Sequence, residues 1–252
     1  MSRDLSQAHY GASVAIHTAV GGAVYFAPDP EPEGARIWFF TRRGGVSRRP
    51  YDSLNVSMKV GDDPAAVEKN RALIGEAMEG RPSAWARQVH AEGVVMVSEA
   101  GFAGEADSLL TEETGFSLVV AVADCVPVAL VGERRVGIVH SGWRGTLSGV
   151  AGKAVRELGE APVRAYVGPC IRECCYEVSE ELAGEFARGF GKEVVSGRYL
   201  SLPEAIRIDL ERSGVEVYDL GLCTGCRPDL FYSHRNQGPF TGRNLAAVAK
   251  VA

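Results

Sequence analysis

Residues 119–131, VVAVADCVPVALV, form the apolar stretch that decides the fold. Its valine-rich runs, at 116–122 and 126–131, are typical of strands that are buried on both faces. Asp124 and Cys125 interrupt the stretch, and a buried carboxylate is costly unless it is paired or hydrogen-bonded. By themselves the two residues have two interpretations of equal weight, a turn with a core cysteine or a reactive group, because free cysteine is among the most buried residue types.

The next stretch, VGIVHSGWRGTLSGV (136–150), predicts a strand that ends in His140, then a glycine turn and the start of a helix. Unpaired backbone N–H groups at a helix N-terminus favour anions, and Arg144 adds a positive charge at this point. A histidine beside a chain reversal can also be purely structural, so the stretch indicates only a candidate site.

Working outward, strand-like and helical patterns define the rest of the chain. Strand-like runs lie at 35–41, 84–89, 93–98, 161–168 and 214–220, and helical patterns at 62–78, 145–158, 179–190 and 203–213. Strands come first and are then mixed with helices, which predicts an α/β protein with an α+β-like mixed sheet. Residues 1–34 predict an N-terminal extension with one strand and a Pro-rich linker at 27–34, followed by a single domain at 35–252.

Composition narrows the function. The 252 residues include 27 Lys and Arg against 32 Asp and Glu, a net charge of −5, which argues against a general nucleic-acid binder with a basic face. No apolar run approaches the ~20 residues of a membrane helix, and residues 11–26 lack the basic start and cleavage site of a signal peptide. We therefore expect a cytoplasmic protein that has neither a membrane nor a nucleic-acid partner. The sequence makes no prediction of the oligomeric state.

Three residues that can bind a metal, His90, Cys125 and His140, each lie at or near the end of a strand-like run. Two imidazoles and a thiolate suit a catalytic Zn²⁺ with an open fourth position. They are 35 and 15 residues apart along the chain, so only the fold can bring them together. The same residues support a second interpretation, in which Cys125 is the nucleophile and His140 the base of a cysteine hydrolase or amidase.

The histidine and cysteine counts limit the metal chemistry further. A blue-copper centre alone takes two His and a Cys, and the chain has five His in all, so a multicopper centre is excluded. The remaining cysteines are Cys170, Cys174, Cys175, Cys223 and Cys226. Structural thiols are the favoured interpretation of these five, with a Cys₄ zinc site or a redox pair as alternatives.

A series of short motifs connects these features in one order. They are TRRGGVS (41–47), PYDSLN (50–55), VGDDPAAVEKNRALI (60–74), QVH (88–90), ADSLLT (106–111), VADCVPV (122–128), HSGWRGT (140–146), GPCI (168–171), CYEV (175–178), CT (223–224) and TGR (241–243). Over residues 36–246 the chain thereby resembles the YfiH/DUF152 family, whose members have also been labelled polyphenol oxidases or laccase-domain proteins.

The resemblance implies a layered fold similar to that of the cytotoxic necrotizing factor catalytic domain, and one zinc ion per chain on His90, Cys125 and His140. It implies a purine nucleoside phosphorylase that acts on adenosine, inosine and methylthioadenosine with phosphate, with adenosine deaminase activity beside it. The alternative activity in the family is that of an amidase, which removes a misplaced L-serine from a UDP-linked muramic acid precursor of peptidoglycan.

Candidate contacts to the nucleoside and the phosphate lie in the same motifs. Arginine pairs oxyanions in a bidentate manner, so Arg43, Arg144 and Arg243 are the expected phosphate contacts. Ser47 and Asn55 are further candidates for binding the substrate.

Overall fold

The computed structural model describes residues 13–252, so the first twelve residues of the predicted extension lie outside the described part. Two large β-sheets lie face to face, and helices cover the outer face of each sheet. The layers therefore follow the order helix, sheet, sheet, helices. This architecture confirms the predicted α/β class with mixed sheets.

Within the described residues, seven strands form the first sheet. Numbered in chain order and given in spatial order, they are β1 (Ser13–Thr18), β2 (Val24–Asp29), β3 (Ala35–Phe40), β15 (Asn244–Lys250), β8 (Ser117–Val122), β4 (Ser83–Arg87) and β6 (Gly101–Glu105). Neighbours pair antiparallel except at β8–β4 and β4–β6, which are parallel.

The second sheet, which is also mixed, has six strands within residues 13–252. In spatial order they are β14 (Glu216–Asp219), β11 (Arg164–Val167), β9 (Val126–Val131), β10 (Val136–Ser141), β7 (Ser108–Thr111) and β5 (Val94–Met96). A small separate pair consists of β12 (Val195–Ser196) and β13 (Tyr199–Leu200). The helices are α1 (Pro64–Ala77), α2 (Trp143–Leu147), α3 (Val150–Leu158), α4 (Glu180–Phe190), α5 (Leu202–Glu211) and α6 (His234–Gln237), with a 3₁₀ turn at Lys192–Val194.

The alternation of side chains along β10 explains where its last residues point. Val136 and Ile138 pack in the core between the two sheets, whereas Val139 packs in the core beneath α3, α4 and α5. Successive side chains of a strand point to opposite faces, so His140 points to the same side as Ile138. Both faces of the strand are buried, as the near-continuous apolar pattern predicts.

Helix α1 covers the outer face of the first sheet and confirms the helix predicted at 62–78. The carboxylate of Asp63 accepts a hydrogen bond from the N–H of Ala65, and Pro64 is the first helical residue, a position that suits proline. Ile74 and Met78 are buried against the sheet. The apolar spacing of the segment therefore decided both its helical form and the face it buries.

Two segments differ from their predictions. The helix expected at 145–158 is divided into α2 and α3, because Gly149 takes a left-handed conformation with φ 71°. The N-terminal segment forms two paired strands rather than one, since Gly22, with φ 94°, reverses the chain between β1 and β2. Phe26 and Ala27 of β2 are buried, so the described part of the extension packs with the main domain; the boundary at residue 34 stays a prediction.

In the described part of the chain, no helix has the length and apolar character that crossing a membrane requires.

Candidate metal centre and cleft

His90, Cys125 and His140 meet at one end of the interface between the two sheets. One candidate ligand atom from each residue lies within 4.8 Å of the other two. His90 follows β4 of the first sheet, Cys125 lies in the turn from β8 to β9, and His140 belongs to β10 of the second sheet. The fold thus brings together the three side chains that the sequence singled out, which we call the trio.

Asp107 fixes the orientation of His140. The Nδ1 atom of His140 lies 2.8 Å from Asp107 Oδ1, and both side chains are almost fully buried. A carboxylate on one ring nitrogen sets the tautomer and leaves the other nitrogen, here Nε2, for a ligand. The sequence analysis missed Asp107; its signal was an acidic residue in ADSLLT directly before the buried strand β7.

The same carboxylate also holds the backbone around His90. The backbone N–H groups of Val89, His90 and Ala91 lie 3.3, 3.1 and 2.8 Å from its oxygens. His90 takes a left-handed conformation with φ 59°, which these hydrogen bonds stabilise. Burial by itself would raise the pKa of Asp107, but the hydrogen bonds from His140 and from this backbone outweigh it and lower the pKa.

Cys125 and His140 polarise each other. Burial by itself raises the pKa of the Cys125 thiol, but the charge and hydrogen bonds of His140 and His90 outweigh it and lower the pKa to about 6. Burial disfavours a charged His140, yet Cys125 and Asp107 together raise its pKa to about 9. The arrangement therefore favours the thiolate, which is the form that ligates metals and attacks electrophiles.

Space for an ion depends on Gly142, the residue before α2. A Cβ atom at this position would lie 3.1 Å from Cys125 Sγ and 3.2 Å from His90 Cδ2, so any larger residue would crowd the trio. Two imidazole nitrogens and one thiolate sulfur are the donor set of a catalytic zinc centre with one position open. The residues present fit such an ion.

A cleft of about 880 Å³ opens above the trio and collects positive charge. Its basic lining residues are Lys59, Arg71, Arg87, Arg144, Arg235 and Arg243. Among the described residues, Asp124 is the only carboxylate that lines it. In a protein with a net charge of −5, this concentration of cations indicates an anionic ligand.

Of the three predicted phosphate contacts, Arg144 and Arg243 line this cleft. The guanidinium of Arg144 lies 4.2 Å from the ring centre of Trp143, and that of Arg243 donates to two backbone carbonyls at 2.9 Å. Within residues 13–252, neither forms an ion pair with a carboxylate. Burial lowers the pKa of Arg243, although the nearby charges of Cys125 and Asp124 oppose the shift.

Arg43 lies outside this cleft. Its guanidinium pairs with Asp229 at 3.0 Å and donates to the backbone carbonyl of the same residue at 2.8 Å. A backbone hydrogen bond, from the N–H of Arg42 to the carbonyl of Leu230, joins the loop that carries Arg43 to the segment near residue 230. Arg43 lines a separate depression instead, so the structure does not bring it to the trio.

Ser47 and Asn55 are buried beneath the cleft wall rather than exposed in it. Ser47 Oγ donates to Asp62 Oδ2 at 2.6 Å, and Asn55 Nδ2 donates to the same oxygen at 2.8 Å. Asn55 Oδ1 accepts a hydrogen bond from the backbone N–H of Arg243 at 3.0 Å. These contacts make Asn55 a residue that positions Arg243.

Comparison with known proteins agrees with this fold. Residues 36–250 match the family model described as multi-copper polyphenol oxidoreductase laccase. The chain belongs to this family. Two solved structures share the fold: the DUF152 protein NMB0706 of Neisseria meningitidis, with a TM-score of 0.82 and 30% identity, and YfiH of Bacillus licheniformis, with a TM-score of 0.84 and 26% identity. They cover 90% and 94% of this chain and 99% of their own, which confirms the predicted YfiH/DUF152 resemblance.

Relatives in this family carry an enzyme name. The purine nucleoside phosphorylase YlmD of Geobacillus stearothermophilus is 32% identical, over 88% of this chain and 92% of the relative. A purine nucleoside phosphorylase of Deinococcus radiodurans is 38% identical, over 83% of this chain and 87% of the relative. These names support a phosphorylase-type transferase activity for the family.

Proposed function

We propose that this protein is a zinc-dependent purine nucleoside phosphorylase, which cleaves adenosine, inosine and methylthioadenosine with phosphate in the cytoplasm. The observation that carries the proposal is that the trio and two arginines, Arg144 and Arg243, line one cationic cleft. The names of relatives that are 32% and 38% identical support the choice of reaction.

The reaction requires a held phosphate and a nucleoside whose C1′ can carry positive charge. A phosphate oxygen bonds to C1′, the N-glycosidic bond breaks, and the purine leaves with the bonding electrons and takes up a proton. Arg144 and Arg243 hold the phosphate through charge-assisted hydrogen bonds. A zinc ion on the trio would supply a Lewis acid with an open coordination position.

The cleft also offers surfaces for a purine base. Three aromatic side chains line it, those of Trp85, Trp143 and Tyr176. Flat aromatic side chains stack on any nucleobase. The guanidinium of Arg235 lies over the ring of Tyr176, 4.9 Å from the ring centre. The cleft therefore combines an anion site with an aromatic wall, as a nucleoside and phosphate require.

Adenosine deaminase activity forms a second part of the proposal, and we expect it to be slower than phosphorolysis. Zinc deaminases rely on a carboxylate for proton transfer. The cleft carboxylate, Asp124, is engaged on both oxygens, by Thr224 Oγ1 at 2.6 Å and by the backbone N–H of Arg235 at 2.7 Å. Proton transfer through Asp124 would disrupt these hydrogen bonds.

The test is release of free base from inosine and adenosine with and without inorganic phosphate, together with elemental analysis of the purified protein. We expect base release that requires phosphate, and a His140→Ala variant that loses both the metal of the trio and turnover. Base release at the same rate without phosphate, or full activity in a chain whose trio holds no metal, would refute the proposal.

One observation favours a second candidate. Cys125, His140 and Asp107 also follow the order of a nucleophile, a base and a carboxylate that orients the base. This geometry suits a cysteine amidase that removes L-serine from a UDP-linked muramic acid precursor. Such an enzyme would keep its activity after chelator treatment, need no phosphate and lose all turnover in Cys125→Ser, so the same preparations distinguish the two candidates.

A further inference from the structure

Four cysteines outside the cleft form a second cluster, the tetrad of Cys174, Cys175, Cys223 and Cys226. All four thiols are free, and their sulfur atoms lie within 4.8 Å of one another. The sulfur of Cys226 is 3.4 Å from those of Cys174 and Cys175. Four sulfurs at the usual Zn–S distance of about 2.3 Å form a tetrahedron with edges of about 3.8 Å, and the tetrad has similar spacings.

The backbone of two adjacent segments builds this cluster. Residues 170 and 223 form a parallel bridge, and the N–H of Thr224 donates to the carbonyl of Cys170 at 2.9 Å. A tight turn, in which the N–H of Cys175 donates to the carbonyl of Arg172 at 2.9 Å, presents the two consecutive cysteines to the CTGC turn at 223–226. Two segments distant in sequence thus contribute two thiols each.

One detail of the CTGC turn fits a cluster of four thiols around an ion. A Cβ atom at Gly225 would lie 2.8 Å from Cys175 Cβ and 2.9 Å from Cys175 Sγ, so the absent side chain leaves room for the opposing cysteine.

We propose that Cys174, Cys175, Cys223 and Cys226 bind a second Zn²⁺ ion in a closed structural site. Four thiolates are the soft donors that zinc accepts in tetrahedral geometry. The thiols release their protons to solvent as the ion binds. Neither the sulfur atoms nor the zinc ion changes oxidation state. With all four positions taken by protein, this ion leaves no open position for substrate, in contrast to an ion on the trio.

The position of the tetrad gives the ion a mechanical role. Tyr176, which follows the tetrad cysteine 175, lines the cleft. Thr224, inside the CTGC turn, donates to Asp124 next to Cys125. An ion on the tetrad would hold together the two segments that carry Tyr176 and Thr224 beside the cleft. Loss of that ion should therefore lower the affinity for substrate, whereas the trio should still bind its own metal.

The experiment is zinc content per chain by elemental analysis of protein purified under reducing conditions. We expect two zinc ions in the unaltered chain, one in Cys226→Ser, one in His140→Ala and none in the double variant. Cys226 is exposed, so serine there leaves the packing intact, and Cys174→Ser serves as a second exposed variant. The matched control is Cys170→Ala, which removes a thiol beside the cluster but outside it and should keep both ions.

Three results would overturn the proposal. These are an unchanged zinc content in both Cys226→Ser and Cys174→Ser, iron in place of zinc in the tetrad, or an intact mass two units lower under non-reducing conditions, which indicates a disulfide. The outcome is separate from that of the proposed function. A chain can hold zinc on the tetrad and lack phosphorolysis, or the reverse, and the His140→Ala count shows which ion is missing.

Discussion

Replacing Asp107 with asparagine perturbs a side chain that supports both His140 and the backbone of His90. Its carboxylate accepts hydrogen bonds from His140 Nδ1 and from the three backbone N–H groups of residues 89–91. An asparagine amide has a single oxygen, so its NH₂ group must face two of these donors at a position that is 1% exposed. Each buried donor left unpaired costs about 1–3 kcal/mol. Two donors are unpaired when the NH₂ group faces Val89 and Ala91, and one when it faces His90 and His140, because the imidazole can move its proton. We therefore expect the metal-free protein to lose roughly 1–6 kcal/mol of unfolding free energy.

The same substitution should weaken metal binding in either orientation of the amide. When the NH₂ group faces Nδ1, the ring proton of His140 is held on Nε2, the nitrogen that a metal needs. When it faces the other way, the backbone that carries His90 loses the hydrogen bonds of Val89 and Ala91. Loss of such a supporting hydrogen bond typically lowers metal affinity by about 10–100-fold. The resulting change in zinc affinity is separate from the loss of folding free energy, because the first is measured on folded protein.

Urea unfolding of the metal-free proteins and zinc competition against a coloured chelator measure the two effects. The control is Asp209→Asn, since Asp209 accepts one backbone N–H, that of Gly152 at 2.9 Å, and contacts none of the trio. We expect this control to retain the zinc affinity of the unaltered chain. If Asp107→Asn also retained it, and unfolded at the same urea concentration, the role assigned to this carboxylate would be wrong.

Three further predictions concern the cleft and the core. Gly142→Ala adds a Cβ 3.1 Å from Cys125 Sγ. Overpacking of this kind costs about 1–3 kcal/mol, so zinc affinity in the same competition assay should fall by about 5- to 150-fold. Arg144→Ala and Arg243→Ala each remove a charge-assisted hydrogen bond worth about 1.5–3 kcal/mol, so the KM for phosphate should rise by about 10–100-fold while kcat changes less. Phe39→Ala removes a ring that is 1% exposed between the sheets and should lower the unfolding free energy in urea by about 3–5 kcal/mol.

Matched controls exist for the first two of these predictions. Gly75→Ala, inside α1, adds a Cβ that meets no atom within 4 Å and should leave zinc affinity unchanged. Arg188→Ala, in the last turn of α4, removes a positive charge that does not line the cleft and should leave the phosphate KM unchanged. A phosphate KM that stayed constant in both cleft-arginine variants would remove those arginines from the proposed binding site.

The members of the trio could be selected from the sequence because each lies where a strand-like run ends. A strand end places its side chain at the rim of a sheet, and a few apolar residues before it are enough to recognise the strand. The helix at 62–78 could be predicted for a similar reason, since Asp63, Pro64 and the apolar spacing are all local signals. These features depend on near neighbours in the chain.

The remaining features depend on contacts between distant segments. The role of Asp107 arises from a hydrogen bond across 33 residues, and no local pattern distinguishes it from other acidic residues before strands. Arg43 was expected at the substrate because it is an arginine in a glycine-rich loop, yet its pairing with Asp229 spans 186 residues. The tetrad likewise needs two turns about 50 residues apart, so the sequence left its cysteines among several interpretations.

Strand β15 lies at the centre of the first sheet, between β3 and β8, although it is formed by residues 244–250. During synthesis on the ribosome, β3 and β8 therefore emerge long before the strand that joins them. Until β15 is made, β3 and β8 each have an edge with unpaired backbone N–H and C=O groups. Such edges can pair with strands of other chains. A fragment that ends before residue 244 would lack the strand between β3 and β8. An added peptide with the β15 sequence should pair with both strands. Two separately made pieces should then assemble into one working molecule.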